Sequence, residues 1–178
     1  MLFRSESIEY GKALFQKMGL QAQFYVGDIL NDFPLEHNAV DWVFSSGVLE
    51  HFTDEQIIAI LKKSAAVSRK GVMSLVPNSH CLFYRIGKHA QEMAGTWPYG
   101  KETPKPTMRP YFEAAGLKDI QEYSIGTYHA LQFWGSQHKE IKEFFGHLSP
   151  EEIYSLNQGY LLFTIGTING STRFACSP

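Results

Sequence analysis

Cysteine is scarce: the 178-residue chain has two, Cys81 and Cys176, far apart and outside any C-x-x-C pair. That excludes a disulfide scaffold and predicts free thiols in a reducing, cytoplasmic setting. An excess of one charge is also lacking. Sixteen Lys and Arg against 18 Asp and Glu leave a net charge of −2, with no electrostatic footprint for nucleic acid or an anionic membrane. No apolar run approaches the roughly 18 residues a membrane helix needs. Met1-Leu2-Phe3-Arg4 leads straight into polar sequence, without a signal-peptide core. The seven histidines show neither H-x-H nor H-x-x-x-H spacing, so no metal site is expected. No two of the 15 glycines are separated by a single residue, so a G-x-G turn is missing. Internal repeats and low-complexity segments are absent too.

What is present describes a globular α/β domain. Apolar residues make up 44% of the chain and charged residues 19%, enough to bury a substantial core. Val40 to Phe44 is a short run of β-branched and aromatic residues. It predicts a buried parallel strand with helices over both faces. Ser45-Ser46-Gly47 follows, and small residues there let a ligand approach the backbone at the carboxyl end of the strand, where open α/β sheets bind. Thr53 and Gln56 have capping-box spacing before a helix with Ile57, Ile58, Leu61 and Ala65, stopping near Lys70-Gly71. Val72 to Val76 is a further strand, halted by Pro77-Asn78. Upstream, a helix from Ser5 carries Ile8, Leu14, Phe15 and Met18 and ends at Gly19. Ala22 to Val26 reads as a strand closing on Gly27-Asp28-Ile29.

Beyond Ser79 the composition mixes aromatics with basic groups. A helix is expected over 81–94, then an ordered loop of the kind that covers a site. Pro110 to Ala115 reads as a short helix and Leu117 to Ile125 as a strand. A helical excursion over 129–148 carries Phe133, Trp134, Phe144 and Phe145. Ser149-Pro150 starts another helix, and Tyr160 to Ile165 is the last strand. Residues 169–178 read as a tail.

Four blocks in this order resemble the class I S-adenosylmethionine-dependent methyltransferases, in the ubiquinone and menaquinone biosynthesis branch (methyltransferase type 11). They are Val26-Gly27-Asp28-Ile29, Asp41 through Phe52, Gly71 through Asn78, and Phe112-Glu113-Ala114-Ala115-Gly116-Leu117. The resemblance implies a Rossmann-like sandwich, mostly parallel with an antiparallel final strand. It also implies methyl transfer from S-adenosylmethionine to a small molecule. Asp28 matches the acidic residue that accepts from the adenine amino group, with Ile29 packing on the ring. Ser45, Ser46 and Gly47 match the loop lining the methionine end, and His51 a position near the transferred methyl group. Such a displacement mainly requires the nucleophile to be held about 3–3.5 Å from the methyl carbon, and His51 is a candidate general base. His80, Tyr84, Trp97 and Tyr99 are the candidate acceptor contacts. The whole chain, 1–178, reads as one partial methyltransferase domain, with 79–110 and 127–158 as substrate-covering insertions.

Each assignment has a plainer rival. Asp28 also suits a turn cap, His51 a structural histidine, and Trp97-Pro98-Tyr99-Gly100 a packed loop anchor. The family's glycine-rich turn is missing, and the position of its ribose-binding acid is Phe3. The chain therefore reads as lacking the first strand and helix. Three explanations stand: a fragment, a missing strand supplied by another chain or by swapping (a homo-oligomer or strand complementation), or a non-catalytic binding or scaffold relative.

Overall fold

The computed structural model describes residues 5–31, 33, 35–132 and 138–170. Contacts divide the chain into two units, Met1–Leu35 and Glu36–Pro178. In the first, helix α1 (Ser5–Lys17) ends as expected at Gly19, whose φ of +68° is the left-handed conformation glycine takes without a Cβ clash. The Phe24 ring meets Phe15 edge-on at 5.6 Å and lies against Gly11, where an added Cβ would sit 3.0 Å from it. The expected strand over Ala22–Val26 is not formed. These residues are irregular, and Tyr25 and Val26 are exposed. Their β-forming composition has no ladder partner among the described residues, and a strand exists only through its pairing.

The second unit contains β1 (Val40–Ser46), a 3₁₀ turn (Leu49–His51), α2 (Asp54–Val67), β2 (Ser68–Pro77), α3 (Leu82–Met93) and α4 (Arg109–Ala114). It continues with β3 (Lys118–Ile125), α5 (Thr127–Leu131), α6 (Lys139–Gly146), α7 (Pro150–Ser155) and β4 (Leu161–Thr167). The sheet order is β1-β2-β4-β3. β1 pairs with β2 in parallel, while β4 is antiparallel to both β2 and β3. Three strands thus share one direction and the final strand runs against them, as the resemblance implied.

Helix α2 starts because Thr53 Oγ1 accepts from Gln56 N and Gln56 Oε1 accepts in turn from Thr53 N, the expected capping box. It ends at Val67, before the anticipated Lys70-Gly71. Ser68 turns extended, and its Oγ accepts from Gly71 N at 2.9 Å and lies 2.9 Å from Asp41 O, which draws the chain into β2 early. A second capping box, Ser149 with Glu152, starts α7 with Pro150 in its first turn. The excursion over 129–148 resolves into α5 and α6, and Phe133 and Trp134 lie outside the described residues. So do Cys176 and the tail beyond 170.

The core lies on one face of the sheet. α2 packs on β1 and β2, and α4 packs on α2 and β3. Ile57, Ile60, Leu61, Val72, Val76, Phe112 and Leu162 are buried there. The residues of β1 on the other face are not covered in the way the apolar run suggested. Phe44 is 56% exposed. β1 is the edge of the sheet with β2 as its ladder neighbour, so the run reads as a half-covered edge strand, not a strand buried on both faces.

Candidate functional site

Ser45 and Ser46 are the last residues of β1, in parallel register with Ser74 and Leu75 of β2. Gly47 leaves the strand at φ +65° and donates its N–H to Leu75 O at 3.1 Å. The loop therefore sits at the carboxyl ends of two adjacent parallel strands, as the sequence predicts. An added Cβ on Gly47 would meet Glu50 Oε1 at 3.6 Å and nothing nearer. Space above this backbone is open because its residues are small.

The chain then tightens into the 3₁₀ turn that carries Glu50 and His51. Thr103 donates its N–H to Glu50 O at 2.9 Å, and His51 Nδ1 lies 2.8 Å from Lys101 O. A carbonyl only accepts, so Nδ1 carries a proton, and in the neutral imidazole the lone pair is the one on Nε2. Nε2 points to the side of Glu50, 4.0 Å from its Oε1.

Glu50 is the residue that sequence reading passed over. It is 3% exposed, and its Oε2 has no hydrogen-bond partner. Burial pushes its carboxyl up to about 7, offset in part by its own backbone N–H and the neighbouring His51, with Glu102 adding to the rise. The available signal was an acidic residue inside the apolar run Val48-Leu49-Glu50-His51-Phe52.

Of the four candidate acceptor residues, the structure gathers three. Tyr84 is fully buried and donates its hydroxyl to Glu102. Its ring lies 6.3 Å from Trp97 and 5.1 Å from Tyr160, and Trp97 meets Tyr99 at 5.1 Å. Burial, then the Glu102 hydrogen bond, holds the Tyr84 phenol well above its ordinary range. Lys88 Nζ sits 4.7 Å over the Trp97 ring. Trp97 Nε1 is buried without a partner. His80 stands apart from this group as an exposed residue, with its backbone N–H bonded to Asn78 Oδ1 at 3.0 Å.

Cys81, Tyr84 and Ala130 form a buried cluster backed by Phe83, Trp97 and Tyr160. An apolar groove of about 390 Å³ lies beside it, between Leu82, Phe83, Ile141, Phe144 and Phe145. A polar groove of about 620 Å³ is lined by Arg85, Lys88, His89, Glu92 and Glu102.

Asp28 and Ile29 belong to the first unit. Asp28 accepts from Leu30 N at 2.9 Å and from Asn31 Nδ2 at 2.8 Å, the arrangement of an Asp that caps a turn. Ile29 is half-buried.

Residues 3–71 match the family model of a methyltransferase domain. No curated protein matches the chain in sequence. Solved structures do match in fold. A SAM-dependent methyltransferase from Thermotoga maritima aligns with a TM-score of 0.56 at 14% identity, over 90% of this chain and 70% of that one. Another from Archaeoglobus fulgidus aligns with a TM-score of 0.56 at 15% identity, over 89% and 81%. Magnesium protoporphyrin IX methyltransferase from Synechocystis, with SAH bound, aligns with a TM-score of 0.51 at 12% identity, over 89% and 57%. The chain has the Rossmann-like fold of the class I S-adenosylmethionine-dependent methyltransferases. Within it, residues 3–71 carry the sequence pattern of their methyltransferase domain.

Proposed function

We propose that this protein transfers a methyl group from S-adenosylmethionine to a small-molecule acceptor. The observation that carries this reading is the methyltransferase-domain match over residues 3–71, the segment that includes Asp28, Ile29, Ser45, Ser46 and Gly47, which the resemblance assigns to the cofactor. The open, small-residue loop at the carboxyl ends of β1 and β2 is a backbone cradle of the right kind, since a larger side chain at Gly47 would fill it. When bound, S-adenosylmethionine supplies a methyl group on a sulfonium, which needs no covalent help from the protein. The protein's part is then placement. Ser45 to Gly47 would line the methionine end, Asp28 would accept from the adenine amino group, and Ile29 would pack on the ring.

On the acceptor side, Tyr84, Trp97 and Tyr99 form a wall, and segments 79–110 and 127–158 shape it. Lys101 O accepts from His51 Nδ1, so in the neutral imidazole the lone pair is on Nε2, which suits it to take a proton from an acceptor hydroxyl or acidic carbon. Calorimetric titration of the chain with S-adenosylhomocysteine tests the reading. Saturable binding is expected. Asp28→Ala should weaken it about tenfold, the loss of one hydrogen bond to a charged acceptor. Gly47→Asn, a side chain that tolerates the left-handed backbone there, should also weaken it, with circular dichroism checking the fold. No heat at millimolar ligand would instead favour a non-catalytic relative of the fold.

A further inference from the structure

The Glu50, His51 and Glu102 cluster asks for a cation. One oxygen of each carboxylate and one imidazole nitrogen lie within 4.8 Å of one another. Glu50 Oε2 is buried there with no hydrogen-bond partner. The surroundings are arranged around the three donors. Lys101 O holds the Nδ1 proton of His51 and so frees Nε2, the carbonyl-to-imidazole contact that orients metal-bound histidines. Tyr84 donates to Glu102 and fixes that carboxylate in turn. Thr103 N binds Glu50 O, so the segment carrying Glu102 is tied across the turn carrying Glu50 and His51.

We propose that Glu50, His51 and Glu102 bind a divalent first-row transition metal of the zinc type, through His51 Nε2 and one oxygen of each carboxylate. Three protein ligands with a remaining open position make an ordinary nitrogen and oxygen site for such an ion. Donors sharing one ion at about 2.1 Å in tetrahedral geometry lie about 3.4 Å apart. The cluster, within 4.8 Å, therefore needs to close by up to about 1.4 Å, within the reach of two glutamate side chains. Glu102 lines the polar groove, which gives the ion a route in. Lys88 in that groove is held by Glu92, so its charge is directed away from the cluster. Metal ligation and proton acceptance are alternative uses of the same Nε2 lone pair. The proposal stands independently of methyl transfer and is read without turnover.

The test strips the 178-residue protein with a chelator, then titrates it with Zn²⁺ by calorimetry and with Co²⁺ by visible absorption. One ion per chain is expected, with Co²⁺ bands of a four- or five-coordinate site. Glu50→Gln, His51→Gln and Glu102→Gln should each lower affinity by at least about tenfold, and Tyr84→Phe by about tenfold through loss of the orienting bond. Exposed Glu113→Gln should change nothing. Circular dichroism checks each fold, and half-buried Glu102 supplies the decisive variant should Glu50→Gln unfold. Absence of stoichiometric binding overturns the proposal. So does binding that survives both His51→Gln and Glu102→Gln at unchanged affinity.

Discussion

Gly71 shows how a single residue sets the packing around it. It pairs with Trp42 on one side and Thr167 on the other, and an added Cβ would lie 2.3 Å from Gly166 O and 2.4 Å from the Trp42 ring. Gly71→Ala therefore forces backbone or an indole to move. A loss of about 1–3 kcal/mol is expected, measured by urea denaturation. Asn78, fully buried after β2, donates Nδ2 to Gly159 O at 3.0 Å and accepts from His80 N, while its own N–H bonds Tyr160 O. Asn78→Asp keeps the acceptor but loses the donor, leaving Gly159 O facing a carboxylate, so it should cost more than Asn78→Ala at neutral pH. Asp54 offers a pH test. Hydrogen bonds from Lys105 and Tyr111 hold its carboxyl below the usual range. Its contribution is then complete above the ordinary carboxylate value and is lost as pH falls through the depressed one. Comparing melting at about pH 7 and about pH 3, Asp54→Asn should lose less on acidification than the parent. An equal loss would show that the Lys105 contact is immaterial.

At the scale of elements, the caps are local and readable. Thr53-Asp54-Glu55-Gln56 and Ser149-Pro150-Glu151-Glu152 both form capping boxes at the expected places. Thr53→Ala should cost about 1 kcal/mol, seen as a lower denaturation midpoint with unchanged slope. The short helix around Pro110 and its stop at Gly116, φ +86°, were equally legible, because proline and glycine fix backbone angles without tertiary help. Strands were less so. Ala22 to Val26 has strand composition and no ladder, whereas Ser68 to Lys70 looks like a helix end and is the start of β2. Composition measures suitability for a pleated surface, and pairing decides whether one is present.

Among the described residues, the sheet order places β2 and β4 inside and β1 and β3 at its edges. Amide exchange followed by mass spectrometry should therefore be slowest in β2 and β4 and faster in β1. Equal protection of β1 would contradict its edge position. The same order explains the exposure of Phe44. A run of apolar residues reports the wish to be covered and leaves open what covers it.

The sequence by itself determined the helix boundaries that caps and glycines fix, the small-residue loop Ser45-Ser46-Gly47, and the block order that resembles a methyltransferase. Each of these is a matter of neighbours along the chain. Only the tertiary structure decided that β4 runs between β2 and β3, that Tyr84, Trp97 and Tyr99 stand together while His80 does not, and that Glu102 returns to Glu50 and His51. Histidine spacing gave no hint of that last cluster. Its members are half a hundred residues apart, and they meet because Thr103 and Lys101 hydrogen-bond across the turn after β1.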